Sequence, residues 1–234
     1  IPQILVYVVT PVSDALGQCA GETFEIEVTV SPRPTLQDKD FVVCSGEDFI
    51  FTPINNPPLD IVPDGTTYTW TFVDNPSIDG ESNGFDQNQF EQNNLLNVTN
   101  IDQVVIYQIT ASSGSCTSSF EIQLTVKPKP FIVSGPDTQD TRCSEDPFVI
   151  SPQNGVPTST TIVPNGTQYT WTTLGNSNLL GWSNQVSAVD IISQTLENTT
   201  NQIQQIIYTV TPEADGCVGP SFDVVITIEP KPFI

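Results

Sequence analysis

Apolar and polar residues alternate without a break along Phe120-Glu121-Ile122-Gln123-Leu124-Thr125-Val126. That is the period-two pattern of a β-strand with one face buried and the other wet. The pattern recurs at Phe24-Glu25-Ile26-Glu27-Val28-Thr29-Val30 and at Phe222-Asp223-Val224-Val225-Ile226-Thr227-Ile228. Each copy is preceded by a strand pattern centred on a tyrosine (Tyr7, Tyr107, Tyr208) and by a loop holding one cysteine (Cys19, Cys116, Cys217). Each is followed by Pro32-Arg33-Pro34, Pro128-Lys129-Pro130 or Pro230-Lys231-Pro232. A phrase restated at this interval makes the chain an array.

Other landmarks keep step with it. Cys44 and Cys143 lie 99 residues apart, while Trp70 and Trp171, Tyr107 and Tyr208, and Cys116 and Cys217 lie 101 apart. Between landmarks the pattern predicts strands over 48–52, 68–72 and 95–98, and over 147–151, 169–173 and 195–196, separated by Pro- and Asn-rich loops. The expected units are residues 1–34, the closing hairpin of a repeat with its linker, and two whole repeats over 35–130 and 131–234. Two strands alone are marginal in water, so the first copy reads as part of a larger unit. Phe233-Ile234 matches Phe131-Ile132, and the chain reads as an excerpt of a longer array.

Composition sharpens the fold class. A chain with 37% hydrophobic residues has enough for real cores, and 20 prolines with 14 glycines leave little room for helices. The expected fold is all-β, a tandem of Ig-like sandwiches with a tryptophan on a central strand of each. Unlike the antibody pattern, Cys116 and Cys217 follow the strand tyrosine by nine residues, which puts each in a loop at the end of its sandwich. The net charge of −21 disfavours nucleic acid and anionic membranes as partners. The surplus is spread over all three segments: 4 acidic and 1 basic residues in 1–34, 13 and 3 in 35–130, 10 and 2 in 131–234. It is a solvated surface and not an acidic tail.

Candidate chemistry is sparse. There is no histidine, which removes Ser-His-Asp and Cys-His catalysis, and no Cys-x-x-Cys that would suggest zinc. The cysteines instead read as a disulfide framework in an oxidising, extracellular setting. The expected pairs are Cys44 with Cys116 and Cys143 with Cys217, each within one unit, leaving Cys19 unpaired. Asp79-Gly80-Glu81-Ser82-Asn83-Gly84 imitates the opening of a calcium loop, with Asp79, Glu81 and Asn83 as ligands; the twelfth position, however, is Phe90. The junction carboxylates Asp38, Asp40, Asp137 and Asp140 are a second calcium candidate. No cofactor other than calcium is suggested. Trp70 and Trp171 are expected in the cores. Trp182, beside Leu179 and Leu180 without a counterpart in the other unit, is expected to be covered by its own loop, with contact to a sugar or partner as the alternative. The sequons at Asn97, Asn165 and Asn198 read as turns.

Several of these motifs occur together, in order. Cys44-Ser45-Gly46-Glu47, the segment Val62-Pro63-Asp64-Gly65-Thr66-Thr67-Tyr68-Thr69-Trp70 with its copy ending at Trp171, the Leu-x-Asn-x-Thr-Asn turns ending at Asn100 and Asn201, and the Tyr…Cys…Pro-Lys-Pro closing phrase resemble the PKD-like repeats of very large surface proteins of gliding Bacteroidota. The resemblance spans the chain. It implies export by the type IX secretion system, attachment at the cell surface, and service as a filament or stalk of an adhesin in gliding motility. Neighbouring repeats of the same chain would be its partners, with surface polysaccharide or substratum beyond them. A carbohydrate-binding accessory module of a secreted polysaccharide-degrading enzyme is the alternative, resting on Trp182. No enzyme activity is expected.

Overall fold

The computed structural model describes residues 2–14 and 16–232; Phe233-Ile234, on which the expected continuation rests, lie outside them. The fold is all-β apart from one 3-10 turn at Pro136–Thr138. An N-terminal hairpin pairs β1 (Gln3–Val9) with β2 (Phe24–Val30). The first sandwich runs through β3 (Lys39–Cys44), β4 (Phe49–Phe51), β5 (Thr67–Phe72), β6 (Ile78–Asp79), β7 (Gly84–Gln87), β8 (Phe90–Gln92), β9 (Leu96–Asn97), β10 (Gln103–Ser113) and β11 (Cys116–Lys127). The second runs through β12 (Gln139–Cys143), β13 (Pro147–Ile150), β14 (Gln168–Thr173), β15 (Leu179–Leu180), β16 (Gln185–Val189), β17 (Ile192–Thr195), β18 (Glu197–Asn198), β19 (Gln204–Ala214), β20 (Cys217–Val218) and β21 (Phe222–Glu229).

Each sandwich has one large sheet and two small ladders facing it. In the first, the sheet order is β3-β11-β10-β5-β7, and the ladders are β4–β8 and β6–β9. The second repeats it as β12-β21-β19-β14-β16, with β13–β17 and β15–β18 opposite. The alternating residues Phe120, Ile122, Leu124 and Val126 point into the core, as do Tyr107 and Ile109 from the neighbouring strand. Trp70 packs edge-on against Phe90 at 5.0 Å, and Phe90 in turn meets Tyr107 at 4.9 Å. Each indole N–H is used: Trp70 Nε1 donates to the Ser82 carbonyl at 2.9 Å and Trp171 Nε1 to that of Ser183 at 3.0 Å.

The strands before the first cysteines were not anticipated. β3 and β12 lie in what reads as linker, because Lys39-Asp40 and Gln139-Asp140 break the apolar pattern. Both run parallel to the last strand of their unit: Cys44 pairs with Lys127, and Cys143 with Glu229. The short strands β6–β8 were likewise hidden in a polar loop.

The N-terminal hairpin keeps the register of its later copies, with Tyr7 opposite Ile26 as Tyr107 is opposite Ile122. Its burial is the reverse. Tyr7 is 54% exposed and Phe24 50%, where Tyr107 and Phe120 are 0% and 4%. Among the described residues nothing packs over either face of this hairpin.

A buried asparagine organises one end of each sandwich. Asn97 Nδ2 donates to the carbonyls of Ile101 and Val126, both at 2.8 Å, while Oδ1 accepts from Thr99 N–H and Thr99 Oγ1. Its own N–H donates to Ser45 Oγ at 3.0 Å, which fixes the residue following Cys44. Asn198 repeats the set with Gln202, Ile228, Thr200 and Ser144. These two sequons are therefore turn hubs with their amides already engaged.

The hydroxyl of the matched strand tyrosine is used differently in the two cores. Tyr208 donates to Gln194 Oε1 at 2.7 Å. The Tyr107 hydroxyl is buried without a partner, and burial, with the Glu81 charge second, raises its pKa well above the ordinary phenol range. Tyr107→Phe is expected to leave stability unchanged or raise it, whereas Tyr208→Phe should cost about 1 kcal/mol; urea unfolding of both variants checks the ordering. Asn97→Ala removes the donor to the buried Val126 carbonyl and one of the two donors to the Ile101 carbonyl, and should cost about 1–3 kcal/mol, read as a lowered midpoint in the same titration.

Candidate functional site: the disulfide joint between the sandwiches

The expected cysteine pairing is corrected by the structure. Cys44 is bonded to Cys217 of the other sandwich, with Cα atoms 5.6 Å apart, and Cys19, Cys116 and Cys143 are free. The reason lies in the strands. Cys116 opens β11, and Cys44 pairs with Lys127 at its far end. The twelve residues of β11 hold the two cysteines about 36 Å apart at ~3.3 Å per residue. A disulfide tolerates a Cα separation of no more than about 7 Å. Cys143 and Cys217 are kept apart in the same way, since the eight residues of β21 alone span about 23 Å. The two cysteines of each unit thus lie at opposite ends of the path taken by β11 in the first and by β20 and β21 in the second. A bond within a unit is geometrically closed off.

A bond between units is open because the chain leaves the first sandwich beside Cys44. After Lys127 it runs through Pro128-Lys129-Pro130, with both prolines buried. Phe131 is then stitched to the second sandwich: its N–H donates to the Ile162 carbonyl and the Ile162 N–H returns to its own, each at 2.8 Å. So short a path brings the β19–β20 hairpin against the end of β11. That hairpin turns on Asp215 (φ 49°) and Gly216 (φ 86°), the left-handed pair that a two-residue turn requires. Cys217 follows directly. Lys127 Nζ makes an ion pair with the Asp215 carboxylate and also reaches the Asp215 carbonyl at 3.4 Å. Gly219 lies so close to the linker that a Cβ there would stand 2.0 Å from the Pro130 carbonyl oxygen.

The joint before it is built alike. Thr35 and Ile61 exchange backbone hydrogen bonds at 2.9 and 2.7 Å, as Phe131 and Ile162 do. The β10–β11 tip, Ser113-Gly114, borders one crevice with Ser31-Pro32, just as Ala214-Asp215 borders one with Lys127-Pro128. Arg33 Nε donates across this joint to the Thr117 carbonyl at 2.6 Å. Beside it, burial raises the Asp60 carboxyl pKa, but the Gln37 N–H and the Lys39 ammonium outweigh that and hold it below the usual carboxylate range.

The other candidates are placed elsewhere. Glu81 is half-buried with Oε1 accepting from the Asn75 N–H at 3.3 Å. Burial, with Asp74 and Asp79 nearby, raises its pKa. Asp79 pairs with Leu96 in a ladder, and the loop through Asn83 serves to cover Trp70. Of the junction carboxylates, Asp38 accepts from the Glu121 N–H and Asp140 from Arg142. Among the described residues no group of three or more His, Cys, Asp and Glu could hold a metal ion. Trp182 departs from the expected burial: it lies against the backbone of Gly175 yet remains 39% exposed.

Comparison with known proteins follows the same units. The profile of the PKD-like domain family matches residues 1–34, 42–130 and 140–232. No curated protein matches. Among solved structures, the titin I-band fragment I67–I69 is similar with 14% identity and a TM-score of 0.37, over 85% of this chain and 64% of that one. A SusE-like surface-located polysaccharide-binding protein from the Bacteroides thetaiotaomicron heparin utilisation locus is similar with 11% identity and a TM-score of 0.31, over 83% of this chain and 33% of that one. Protocadherin gamma B7 domains 1–4 give 11% and 0.31, over 98% and 67%.

The bond's place fixes what reduction should do. Tying two units, it restrains their arrangement more than either core. Reduction is expected to leave the near-ultraviolet signal of Trp70 and Trp171 intact while small-angle scattering shows the two sandwiches swinging apart; loss of the tryptophan signal would speak for a bond within a unit. Gly219→Ala should lower the yield of the Cys44–Cys217 bond on oxidative refolding, and an unchanged yield would count against the close packing of hairpin on linker.

Proposed function

The chain belongs to the PKD-like domain family, and from that premise we propose that it is a load-bearing spacer of an extracellular adhesin. The supporting observation is the disulfide joint. A bond between Cys44 and Cys217 spans a sequence separation of 173 residues and provides a covalent path past most of both sandwiches. Tension applied at the ends passes through the bond, so the residues between feel little of it. Such a bond persists in an oxidising setting, which supports a place outside the cell. The wide spread of negative charge keeps a long shaft soluble and apart from its copies.

The finer reading follows the resemblance to surface proteins of gliding bacteria, among them the giant gliding-motility adhesin SprB. In it, the chain is a segment of a filament exported by the type IX secretion system and attached to the outer membrane, with neighbouring repeats as its contacts. The alternative, a carbohydrate-binding module, has the exposed Trp182 in its favour; glycan binding that disappears in Trp182→Ala would support it.

Force spectroscopy tests the spacer reading. Pulled from its ends in the oxidised state, the chain should release length only from residues outside 44–217. After reduction it should release up to about 60 nm more, at ~3.5 Å per residue. Equal release in both states would contradict a load-bearing bond.

A further inference from the structure

Cys44 and Cys217 each have a structural twin whose thiol is free. Cys143 ends β12 opposite Glu229 in the parallel register in which Cys44 ends β3 opposite Lys127. The turn that follows is the same bond for bond. Ser144 N–H donates to the Glu229 carbonyl at 2.9 Å, as Ser45 N–H does to that of Lys127 at 2.8 Å. Glu145 N–H reaches the Leu196 carbonyl at 2.7 Å, as Gly46 N–H reaches that of Leu95 at 2.7 Å, and Asp146 N–H closes on the Cys143 carbonyl as Glu47 N–H does on that of Cys44. The backbone around Cys143 is therefore already set in the bonded conformation. What differs is cover: Cys44 lies under the hairpin of the next sandwich and Cys143 is exposed.

At the other joint the complementary half is free. Cys116 follows the β10–β11 turn as Cys217 follows its own, and that turn borders one crevice with Ser31-Pro32 as the later one does with Lys127-Pro128. Ser31 follows the last residue of β2 as Lys127 follows Val126, and Lys127 is the residue that Cys44 faces. A strand laid parallel on the outer edge of β2, in the register of β3 on β11, would bring its final cysteine beside Ser31 and against Cys116.

We propose that the joint is a repeating one, in which the opening-strand cysteine of each unit is bonded to the hairpin cysteine of the unit after it. Cys143 takes the hairpin cysteine of a unit docked behind the second sandwich. Cys116 takes the opening-strand cysteine of a unit docked in front of the first. The partner in each case is another sandwich of this same kind, and Cys19 belongs by the same rule to a joint one unit earlier. The proposal concerns connectivity and stands apart from where the chain is displayed. In each bond two thiols give up two protons and two electrons to a disulfide oxidant, which leaves as two thiols; oxidised glutathione serves in vitro. Successive bonds overlap, since each unit is joined forward through one end of its closing strand and backward through the other.

The test is the full chain lengthened after Pro232 by a second copy of residues 131–234, which restores the Phe-Ile that follows each linker. It is refolded in a glutathione redox buffer, alkylated, digested without reduction and mapped by mass spectrometry. The expected map contains Cys44–Cys217 and a bond from Cys143 to the copied Cys217, with Cys19, Cys116 and the copied Cys143 alkylated. Substituting Ser for the copied Cys217 should make Cys143 fully alkylatable and leave Cys44–Cys217 in place. Cys143 alkylated in the lengthened chain while Cys44–Cys217 has formed would overturn the proposal, as would Cys143 bonded to Cys217 of its own unit. Absence of both bonds from a chain with native tryptophan signals would overturn it as well.

Discussion

The length of one β-strand decides how this chain is held together. β11 runs unbroken for twelve residues between the hairpin tip and the linker; Cys116 stands at its start, and Cys44, on the neighbouring β3, lies beside its far end. Rigid, extended backbone cannot bring them together. Because the parallel strand β3 finishes at the linker end, its cysteine waits where the next sandwich begins. Connectivity between units is thus a consequence of strand length and strand direction, before any side chain at the joint is considered.

Local chemistry then narrows the arrangement. Buried Asn97 ties the Cys44-Ser45 turn to the end of β11. Two buried prolines and the Phe131–Ile162 exchange leave the linker little freedom. Asp215 and Gly216 supply the left-handed turn that points Cys217 back at the preceding unit. The ion pair of Lys127 with Asp215 is largely exposed on its acidic side and adds little by itself. Its position, one residue from the linker, marks the same contact. A bond across this joint closes a loop with a separation of 173 residues, which by chain entropy restricts the unfolded state by about 5 kcal/mol.

The alternation at Phe120–Val126, the tryptophan strands and the repeat period were legible because each follows from a single face being buried. β3 and β12 were not, since an edge strand beginning Lys39-Asp40 or Gln139-Asp140 needs only one apolar face partly covered and looks like linker. The expected pairing within each unit depends on leaving β3 out. Without β3, Cys44 reads as the start of a unit and Cys116 as its natural partner; with β3 laid parallel on β11, the two fall at opposite ends. Asn97 could be read as a turn residue from its Thr99 partner, but its role beneath Ser45 depends on contacts some fifty residues away that no local pattern records. Trp182 is expected under its loop, and Gly175 does approach one part of the ring, yet the residue remains 39% exposed.

Disulfide mapping of the unaltered chain is the most direct measurement. Digestion of the oxidised protein without reduction should yield one cross-linked peptide pair, joining Cys44 to Cys217, with Cys19, Cys116 and Cys143 alkylated. Cross-links joining Cys44 to Cys116 and Cys143 to Cys217 in a folded chain would contradict the account at its centre.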